Sequence, residues 1–316
     1  MLRPSLKARG PSVVEPAIQV RDLKKAYGHL EAVRGVDFEV SVGEVFAMLG
    51  PNGAGKTTIV EILEGYRTRD GGEVVVLGED PQNGGAALKR RIGIVLQSTG
   101  VEPYLTVAEI IEQFRGFYPH PRPLGEIIEV VGLEEKRSAR VKTLSGGQQR
   151  RLDVAIGLAG DPELLFLDEP TTGFDPAARR DAWHMITNLK ALGKTVFLTT
   201  HYMDEAQSLA DRVAIIVDGR IVASGPPEML TAERQTRIRF KRLADDSLPE
   251  GLEGDVARTG EWVEIQSADS THSLHVLTGW ALDRKETLEN LTVTRPSLEE
   301  VYLELTRGAE KEGATP

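Results

Sequence analysis

The chain has 316 residues, enough for a large α/β domain and a second, smaller one. It contains no cysteine, which excludes disulfides, and no apolar run approaches the roughly 18 residues that a membrane-spanning helix needs. The formal net charge of −10 argues against binding to DNA or RNA as the main task, so we expect no nucleic-acid partner.

The chain begins with basic residues that no apolar stretch follows, so we expect residues 1–16 to form a disordered leader rather than a secretory signal. Residues 36–40 alternate between apolar and polar side chains, which predicts a half-buried antiparallel strand. Residues 72–78 continue this strand-rich region. An antiparallel β subdomain is therefore expected. Residues 44–49 are a separate short run, mostly apolar, of the kind that forms a buried strand.

Residues 50–58 read G-P-N-G-A-G-K-T-T and fit the phosphate-loop pattern G-x-x-x-x-G-K-[ST] between a strand and a helix. Glycines let backbone amides approach phosphate oxygens, and the helix N-terminus adds partial positive charge. We predict that Lys56 binds the β- and γ-phosphates and that the Thr57 hydroxyl binds Mg²⁺. The residues expected to bind nucleotide here are Gly50, Pro51, Asn52, Gly53, Ala54, Gly55, Lys56, Thr57 and Thr58.

The segment at about 98–143 has helical character. Its first helix is predicted to begin at a capping box, Thr106 with Glu109, and a second helix to lie near residues 127–131. The first helix is expected to present an apolar face made of Val107, Ile110, Ile111, Phe114 and Phe117.

Residues 164–169 form an apolar strand that ends in two carboxylates, Asp168 and Glu169. Ligands gather at the carboxyl ends of parallel strands, so both side chains should lie near the phosphate loop. Asp168 is suited to hold Mg²⁺, and Glu169 is suited to act as the general base that polarises water. Arg179 and Arg180, further along the chain, are expected to face solvent at the start of a helix.

Residues 195–200 read as another buried strand, and residues 211–222 as two strands joined by an Asp-Gly turn. The Gly-Pro-Pro sequence at 225–227 marks a domain boundary. We predict a first domain over 17–231, a small α+β domain over 232–308 and a frayed tail over 309–316. We expect the second domain to contain strands near residues 262–265 and 291–293 and helices over 274–282 and 296–303.

Residues 144–150, L-S-G-G-Q-Q-R, resemble the signature motif of ABC ATPases, and other motifs of that family follow the same order here. The resemblance extends over about 17–230. It implies an α/β P-loop NTPase fold with an antiparallel β subdomain and a helical subdomain. By position in the family's motifs, the residues implied in nucleotide binding are Tyr27 on adenine, Gln97 as the Q-loop glutamine, Ser145, Gly146, Gly147 and Gln148 of the signature, Asp175 of the D-loop and His201 as the switch histidine.

The same resemblance implies a Mg²⁺-dependent ATPase in which Glu169, His201, Gln97 and Lys56 carry catalysis and Thr57, Gln97 and Asp168 hold the metal. Two ATPase subunits would close head to tail over two ATP molecules. An integral-membrane permease would be the other partner, received by the helical subdomain with Gln97 as hinge and with residues 98–106 in contact. The subunit would then lie at the cytoplasmic face of the membrane as a peripheral protein.

The chain end S-L-E-E-V-Y-L-E-L-T resembles that of drug-resistance exporter ATPases of the daunorubicin type, which favours the energy subunit of an exporter. One alternative is a soluble ABC ATPase that acts on ribosomes or DNA. Translation-factor types usually carry two ATPase domains, and chromosome-organising types insert a long coiled coil between the phosphate loop and the signature. A third alternative, a non-catalytic regulatory subunit, is opposed by Glu169 and His201. The sequence does not name the cargo.

Overall fold

The computed structural model describes residues 15–95, 100–232, 235–241 and 247–312, with 306–312 described by their backbone alone. The chain divides into two compact units, Met1–Val222 and Ala223–Pro316. The elements that the structure describes in and at the end of the first unit are, in chain order, β1 (Ile18–Tyr27), β2 (Leu30–Val40), β3 (Val45–Leu49), α1 (Lys56–Leu63), β4 (Gly71–Val76), α2 (Gly85–Arg91), β5 (Ile92–Val95), α3 (Val107–Arg115), α4 (Leu124–Val130), α5 (Gly146–Gly157), β6 (Leu164–Asp168), α6 (Pro176–Ala191), β7 (Thr195–Thr200), α7 (Met203–Leu209), β8 (Arg212–Val217) and β9 (Arg220–Gly225).

Two sheets form the first unit. The strands β2, β1 and β4 make an antiparallel sheet in that order, which confirms the predicted antiparallel subdomain. The larger sheet has the order β5-β6-β7-β3-β8-β9, and its pairs from β5 to β8 are parallel. Strand β3 is buried along its whole length, as is β7. Helices cover parallel sheets on both faces, so such strands read as continuous apolar runs rather than alternating ones.

Phe197 of β7 lies at the centre of an aromatic cluster that joins the two sheets. Its ring centroid is 5.4 Å from that of Phe46 on β3, 6.0 Å from Phe38 on β2 and 5.7 Å from Phe166 on β6. Phe197 is completely buried. Aromatic pairs at these separations add to the free energy gained by burying their area, so this cluster fixes the antiparallel sheet on the parallel one.

The helical region follows its sequence pattern at the start and departs from it at the end of α3. Thr106 caps α3 in a capping box with Glu109, as predicted. The helix ends at Arg115, however, and Phe117 lies beyond it with 72% of its surface exposed. Phe117 therefore does not belong to the apolar face of the helix. The predicted second helix is confirmed as α4.

The predicted Asp-Gly turn between two strands over 211–222 is confirmed as the turn between β8 and β9. Asp218 has a φ of 46° and Gly219 a φ of 76°, so both turn residues occupy the left-handed region that a two-residue hairpin of type I′ requires. The predicted boundary between residues 231 and 232 remains a prediction about domains. The structure divides the chain a few residues earlier, between Val222 and Ala223.

The second unit is a four-stranded antiparallel sheet with helices. Its described elements are α8 (Pro227–Ala232), β10 (Thr236–Lys241), β11 (Asp255–Thr259), β12 (Trp262–Ser267), α9 (Ser270–Asp283), β13 (Thr292–Thr294) and α10 (Leu298–Glu312). Its sheet order is β11-β12-β10-β13, and its core contains Ile238, Phe240, Val263, Ile265 and Leu277.

Two features of this unit depart from the sequence pattern. Strand β11 is absent from the predicted elements, and all five of its residues are exposed, so it carries no apolar alternation. Helix α10 runs to Glu312, into the predicted tail. The rest of that tail and residues 1–14 of the predicted leader lie outside the described residues. Among the residues that are described, none of the helices has both the length and the apolar character needed to cross a bilayer.

Phe197→Ala should lower the free energy of unfolding by about 3–5 kcal/mol, because the cluster loses a large buried ring and gains a cavity. Urea unfolding followed by circular dichroism measures the change. Phe117→Ala is the matched control, and its exposed ring should cost less than about 1 kcal/mol. Equal losses for the two variants would contradict the role of Phe197 as the centre of the cluster.

Candidate nucleotide-binding and hydrolysis site

The phosphate loop connects the buried strand β3 to helix α1, and its glycines fit a close-packed turn. Gly53 and Gly55 have φ values of 85° and 107°, which side chains with a Cβ rarely adopt. A Cβ at Gly55 would come within 2.5 Å of the carbonyl oxygen of Ala32, and a Cβ at Gly50 would collide with that of Ile216. Only glycine therefore lets the loop take this path.

Lys56, the first residue of α1, turns its side chain back across the loop. Its Nζ donates to the carbonyl oxygens of Gly50 at 2.7 Å and Pro51 at 3.2 Å, and it lies 3.6 Å from Glu169 Oε1. The side chain is 5% exposed. Burial lowers the pKa of Lys56, although the negative charges of Glu169 and Asp168 oppose that change. The ammonium thus lies in a polar cradle at the mouth of the loop.

The cleft over this loop has the size and the donors that a nucleotide needs. Its volume is about 440 Å³, within the range of small-molecule sites. The N-cap of α1 is Gly55, which has no side chain to cap the first amides of the helix, and such free amides bind anions. The cleft is lined by Tyr27, Leu30, Ala32, Pro51, Asn52, Gly53, Gly55, Lys56, Thr57, Thr58 and Glu169. ATP therefore fits the residues present.

The two carboxylates stand at the end of β6, where one hydroxyl group contacts both residues. The Oγ1 of Thr199 donates to Asp168 Oδ1 at 2.5 Å and accepts from the backbone amide of Glu169 at 3.1 Å. The same amide also donates to the carbonyl oxygen of Thr199 at 3.1 Å. Glu169 has a φ of 43°, a strained value for a residue other than glycine. Thr199 thus holds Glu169 in this conformation.

Glu169 is the point on which the predicted catalytic residues converge. Its Oε1 lies 3.3 Å from His201 Nδ1, without the alignment of a hydrogen bond, and its Oε2 accepts from the Thr172 hydroxyl at 3.1 Å. Burial raises the pKa of Glu169, but contact with His201 and Thr172 and the charge of Lys56 outweigh it, so the pKa is lowered overall. The carboxylate is therefore ionised at neutral pH.

The Mg²⁺ prediction rests on oxygen ligands at the same place. Among the described residues there is no group of three or more His, Cys, Asp or Glu side chains placed to hold a metal. Mg²⁺ at a phosphate loop needs only one or two protein oxygens, since phosphates and water supply the rest. Thr57, exposed at the start of α1, and Asp168 fit this requirement. Gln97 lies outside the described residues, so its predicted roles stay predictions.

The signature residues lie in a second cleft. Ser145 caps α5, its Oγ accepting from the Gln148 amide at 3.3 Å while the Gln148 side chain accepts from the Ser145 amide at 3.0 Å, a capping box. Ser145, Gly147 and Gln148 line a cleft of about 560 Å³. The phosphate-loop cleft has a different lining. Ser145, Gly147 and Gln148 therefore face a cleft that the phosphate loop of the same chain does not line.

Asp175 begins the helix that follows the carboxylate strand. Its Oδ1 accepts from the amides of Ala177 and Ala178, both at 2.9 Å, and thereby caps α6. The side chain has a defined structural task at the start of this helix. Its predicted place in nucleotide binding stays a prediction.

Three residues at the site were missed by sequence reasoning. Thr199 reads as one residue of an apolar strand, and only the sheet register places it beside β6. Arg150, in the signature helix, is 6% exposed and donates to the carbonyl oxygens of Asp168 at 2.8 Å and Pro170 at 3.3 Å. The sequence signal for Arg150 is its place in the signature motif. Glu64 gave no signal.

Glu64 follows α1 and is 4% exposed. Burial raises its pKa to about 8, with repulsion from Asp168 and Glu61 adding to the effect. The carboxyl group is therefore mostly protonated in the folded chain at neutral pH. A second negative charge beside Asp168 is avoided in this way.

Comparison with known proteins agrees with this geometry. A family model described as ABC transporter matches residues 33–172. The Nod factor export ATP-binding protein I of Paraburkholderia xenovorans (strain LB400) is 36% identical over 300 residues, which cover 92% of this chain and 97% of the relative. The chain is an ATP-binding subunit of the ABC transporter family. A second family model, described as ABC transporter domain-containing protein-like, C-terminal domain, matches residues 236–297 of this ABC subunit.

Another relative supports the assignment of this chain to the ABC transporter family, and a solved structure supports its fold. The Nod factor export ATP-binding protein I of Rhizobium meliloti (strain 1021) is 43% identical over 223 residues, covering 69% of this chain and 67% of the relative. The solved structure of CbiO1 from Clostridium perfringens, part of the ABC transporter complex CbiONQ, has a TM-score of 0.63 at 26% identity, covering 69% of this chain and 91% of that chain. The predicted P-loop fold is confirmed.

A solved dimeric ATP-binding cassette, in a post-hydrolysis state bound to ADP and Pi, has a TM-score of 0.58 at 25% identity and covers 66% of this chain and 98% of that chain. The prediction of an ABC transporter ATP-binding subunit is confirmed, and ATP hydrolysis is the activity that the family implies. These two relatives are named for Nod factor export, so the resemblance to daunorubicin-type exporters stays a prediction.

Glu64→Gln should change how stability depends on pH. The folded pKa of about 8 exceeds the ordinary glutamate value of 4.5, so the stabilising contribution of Glu64 is complete below the lower value and is lost as pH rises through the higher one. Between these values the variant should gain about 1.4 kcal/mol per pH unit relative to the parent. Urea unfolding at several pH values measures this. Glu129→Gln, at an exposed position, should give a constant difference, and the same constancy for Glu64→Gln would contradict the burial argument.

Proposed function

We propose that the chain is the Mg²⁺-dependent, ATP-hydrolysing energy subunit of an ABC exporter. It would couple the ATP-driven closure of two subunits to export of a drug or another hydrophobic substrate through a separate membrane permease. The observation that carries the proposal is the convergence of Lys56, His201 and Thr172 on the Glu169 carboxylate at the mouth of the phosphate loop.

The residues divide the work of hydrolysis by position. Lys56 and the first amides of α1 would hold phosphate oxygens, and Tyr27 offers a ring with 39% of its surface exposed beside that cleft for the adenine. Glu169, ionised by its surroundings, would orient the attacking water and accept its proton. When bound, Mg²⁺ supplies positive charge at the phosphates, held by Thr57 and Asp168. His201 would help to place the water.

The separate clefts support a head-to-tail pair of subunits. Ser145, Gly146, Gly147 and Gln148 begin a capped helix whose amides can face an anion. Ser145, Gly147 and Gln148 line a different cleft from the phosphate loop of the same chain, so a second subunit would place them against bound ATP. The solved dimer of a similar cassette, bound to ADP and Pi, supports dimerisation. A homodimer is the simplest form of this pair.

Export and the membrane partner rest on the relatives. Those compared are named as export ATP-binding proteins, and they match most of the chain. Because the described helices cannot cross a bilayer, the transport path would belong to a permease that this subunit meets at the cytoplasmic face of the membrane. Tyr104 lies in the segment 98–106 that is predicted to contact the permease, and 64% of its surface is exposed. We propose the surface around Tyr104 as part of that contact.

Glu169→Gln should lower ATP turnover by about 10²–10⁴-fold, the usual loss when a positioned base is removed. Binding of ATP should survive, because the phosphate loop and Lys56 are unchanged. Phosphate release measures the first quantity and titration with a fluorescent ATP analogue the second. Lys56→Ala is the control for lost nucleotide binding. Turnover at the parental rate in Glu169→Gln would refute the role of Glu169 as base.

Ser145→Arg should leave ATP binding by one subunit intact and block closure of the pair, since a large cation replaces the small helix cap at the cleft. Light scattering with ATP, in a Glu169→Gln background that slows turnover, measures the dimer. Thr187→Arg adds the same charge at an exposed position on α6 and should dimerise normally. Undiminished dimerisation of Ser145→Arg would refute the composite site.

A further inference from the structure

The imidazole of His201 is supported mainly by the residue that follows it. The rings of His201 and Tyr202 have centroids 4.1 Å apart and an interplanar angle of 40°. Among the described residues, His201 Nδ1 has no hydrogen-bond partner, although it lies near Glu169. No hydrogen bond of that nitrogen therefore fixes the orientation of the ring, and the packing of Tyr202 limits its rotation.

Tyr202 is in turn held from two sides. Its backbone amide donates to the Oγ1 of Thr200 at 2.9 Å. The guanidinium of Arg179 lies 4.1 Å from the centroid of the Tyr202 ring, within the range of a cation–π contact. Arg179 also donates from Nη1 to Asp204 Oδ2 at 3.1 Å, which anchors the guanidinium at the start of α7.

This arrangement corrects the expectation that both arginines of α6 face solvent. Arg180 is exposed, as expected, but the Arg179 side chain is only 22% exposed. The Arg179 amide donates to the carbonyl oxygen of Asp175 at 3.0 Å, so the two residues share the first turn of α6. A shift of Asp175 along the helix axis therefore moves Arg179 with it.

A buried carboxylate below the stack joins the same two parts of the chain. Glu205 on α7 is completely buried, and its Oε1 accepts from the Thr171 hydroxyl at 2.8 Å. Thr171 belongs to the loop that connects Glu169 to α6. The start of α7 is thus fixed to that loop by a second contact.

We propose that Tyr202 and Arg179 are positioning residues, which orient His201 toward Glu169 and tie it to the helix that starts at Asp175. The proposal rests on the proposed function insofar as His201 acts in ATP hydrolysis. Its physical basis is that catalytic side chains must be held within about 10–20° of their working orientation by neighbours that lock their rotamers. A movement of Asp175 at the face of the subunit would then reach His201 through Arg179 and the Tyr202 ring.

The first test reads the stack directly, without hydrolysis. The chain has six histidines, and the Cε1–Hε1 resonance of His201 is identified as the one missing from the spectrum of His201→Gln. Tyr202→Leu, which removes the aromatic ring, should move this resonance, while Tyr202→Phe, which keeps the ring, should leave it near the parental position. Arg179→Gln should move it less than Tyr202→Leu does. Arg180→Gln is the matched control on the same helix and should not move it.

The second test separates positioning from folding by steady-state kinetics. Tyr202→Leu should lower kcat by about 10- to 100-fold, the scale of a small misplacement of a catalytic group, with KM for ATP within about twofold of the parent. Tyr202→Phe should recover most of the parental kcat. Arg179→Gln should lower kcat by about 2- to 30-fold, the range that a cation–π contact can supply. In a His201→Ala background, Tyr202→Leu should cause no further loss.

Three results would overturn the proposal. They are an unmoved His201 resonance in Tyr202→Leu, a loss in Tyr202→Leu that multiplies with that of His201→Ala, and equal effects of Arg179→Gln and Arg180→Gln. Failure of the proposed function looks different. If the parent does not hydrolyse ATP, or if His201→Ala matches the parent, the catalytic role of His201 fails. The resonance shift in Arg179→Gln, which keeps both aromatic rings and so their ring current, still decides whether Arg179 orients the imidazole through Tyr202.

Discussion

The site depends on one buried cation. The ammonium of Lys56 lies among two loop carbonyls and the Glu169 carboxylate; burial lowers its pKa, and the negative charge of Glu169 opposes that change. A buried charge without partners costs several kcal/mol, so the two loop carbonyls and Glu169 all stabilise this ammonium. Thr199 completes this arrangement by holding Glu169 in its left-handed conformation and by contacting Asp168. The parallel sheet brings these partners together because β3, β6 and β7 are adjacent.

Much of this could be predicted, because the information is local in sequence. The phosphate loop, the carboxylate pair at the end of β6 and the capping box at Thr106 each involve residues a few positions apart, and the structure has them as expected. The buried strands could be recognised because they are continuous apolar runs, and the hairpin of β8 and β9 because of its Asp-Gly turn. Local turn and cap chemistry agrees here with the global fold, as it does in chains with one stable structure.

The rest depends on contacts between distant segments. Thr199 meets Asp168 through sheet register, across 31 residues of sequence. Arg150, on helix α5, donates to the carbonyl oxygen of Pro170 just beyond β6, and the two residues are 20 positions apart in sequence. The prediction that Arg179 faces solvent was wrong for the same reason, since its partners Tyr202 and Asp204 lie at the start of a different helix, α7. Strand β11 was missed because exposure of both faces leaves no pattern.

The separation of the signature cleft from the phosphate-loop cleft has a consequence for how the subunit behaves when it is dilute. Under the proposed pairing, half of each working site is supplied by another molecule, so the rate per chain rises with protein concentration until pairs are complete. A permease that carries two copies side by side replaces this bulk dependence by a high effective concentration. Subunits that have left the membrane complex would then consume little ATP, and nucleotide use would follow assembly.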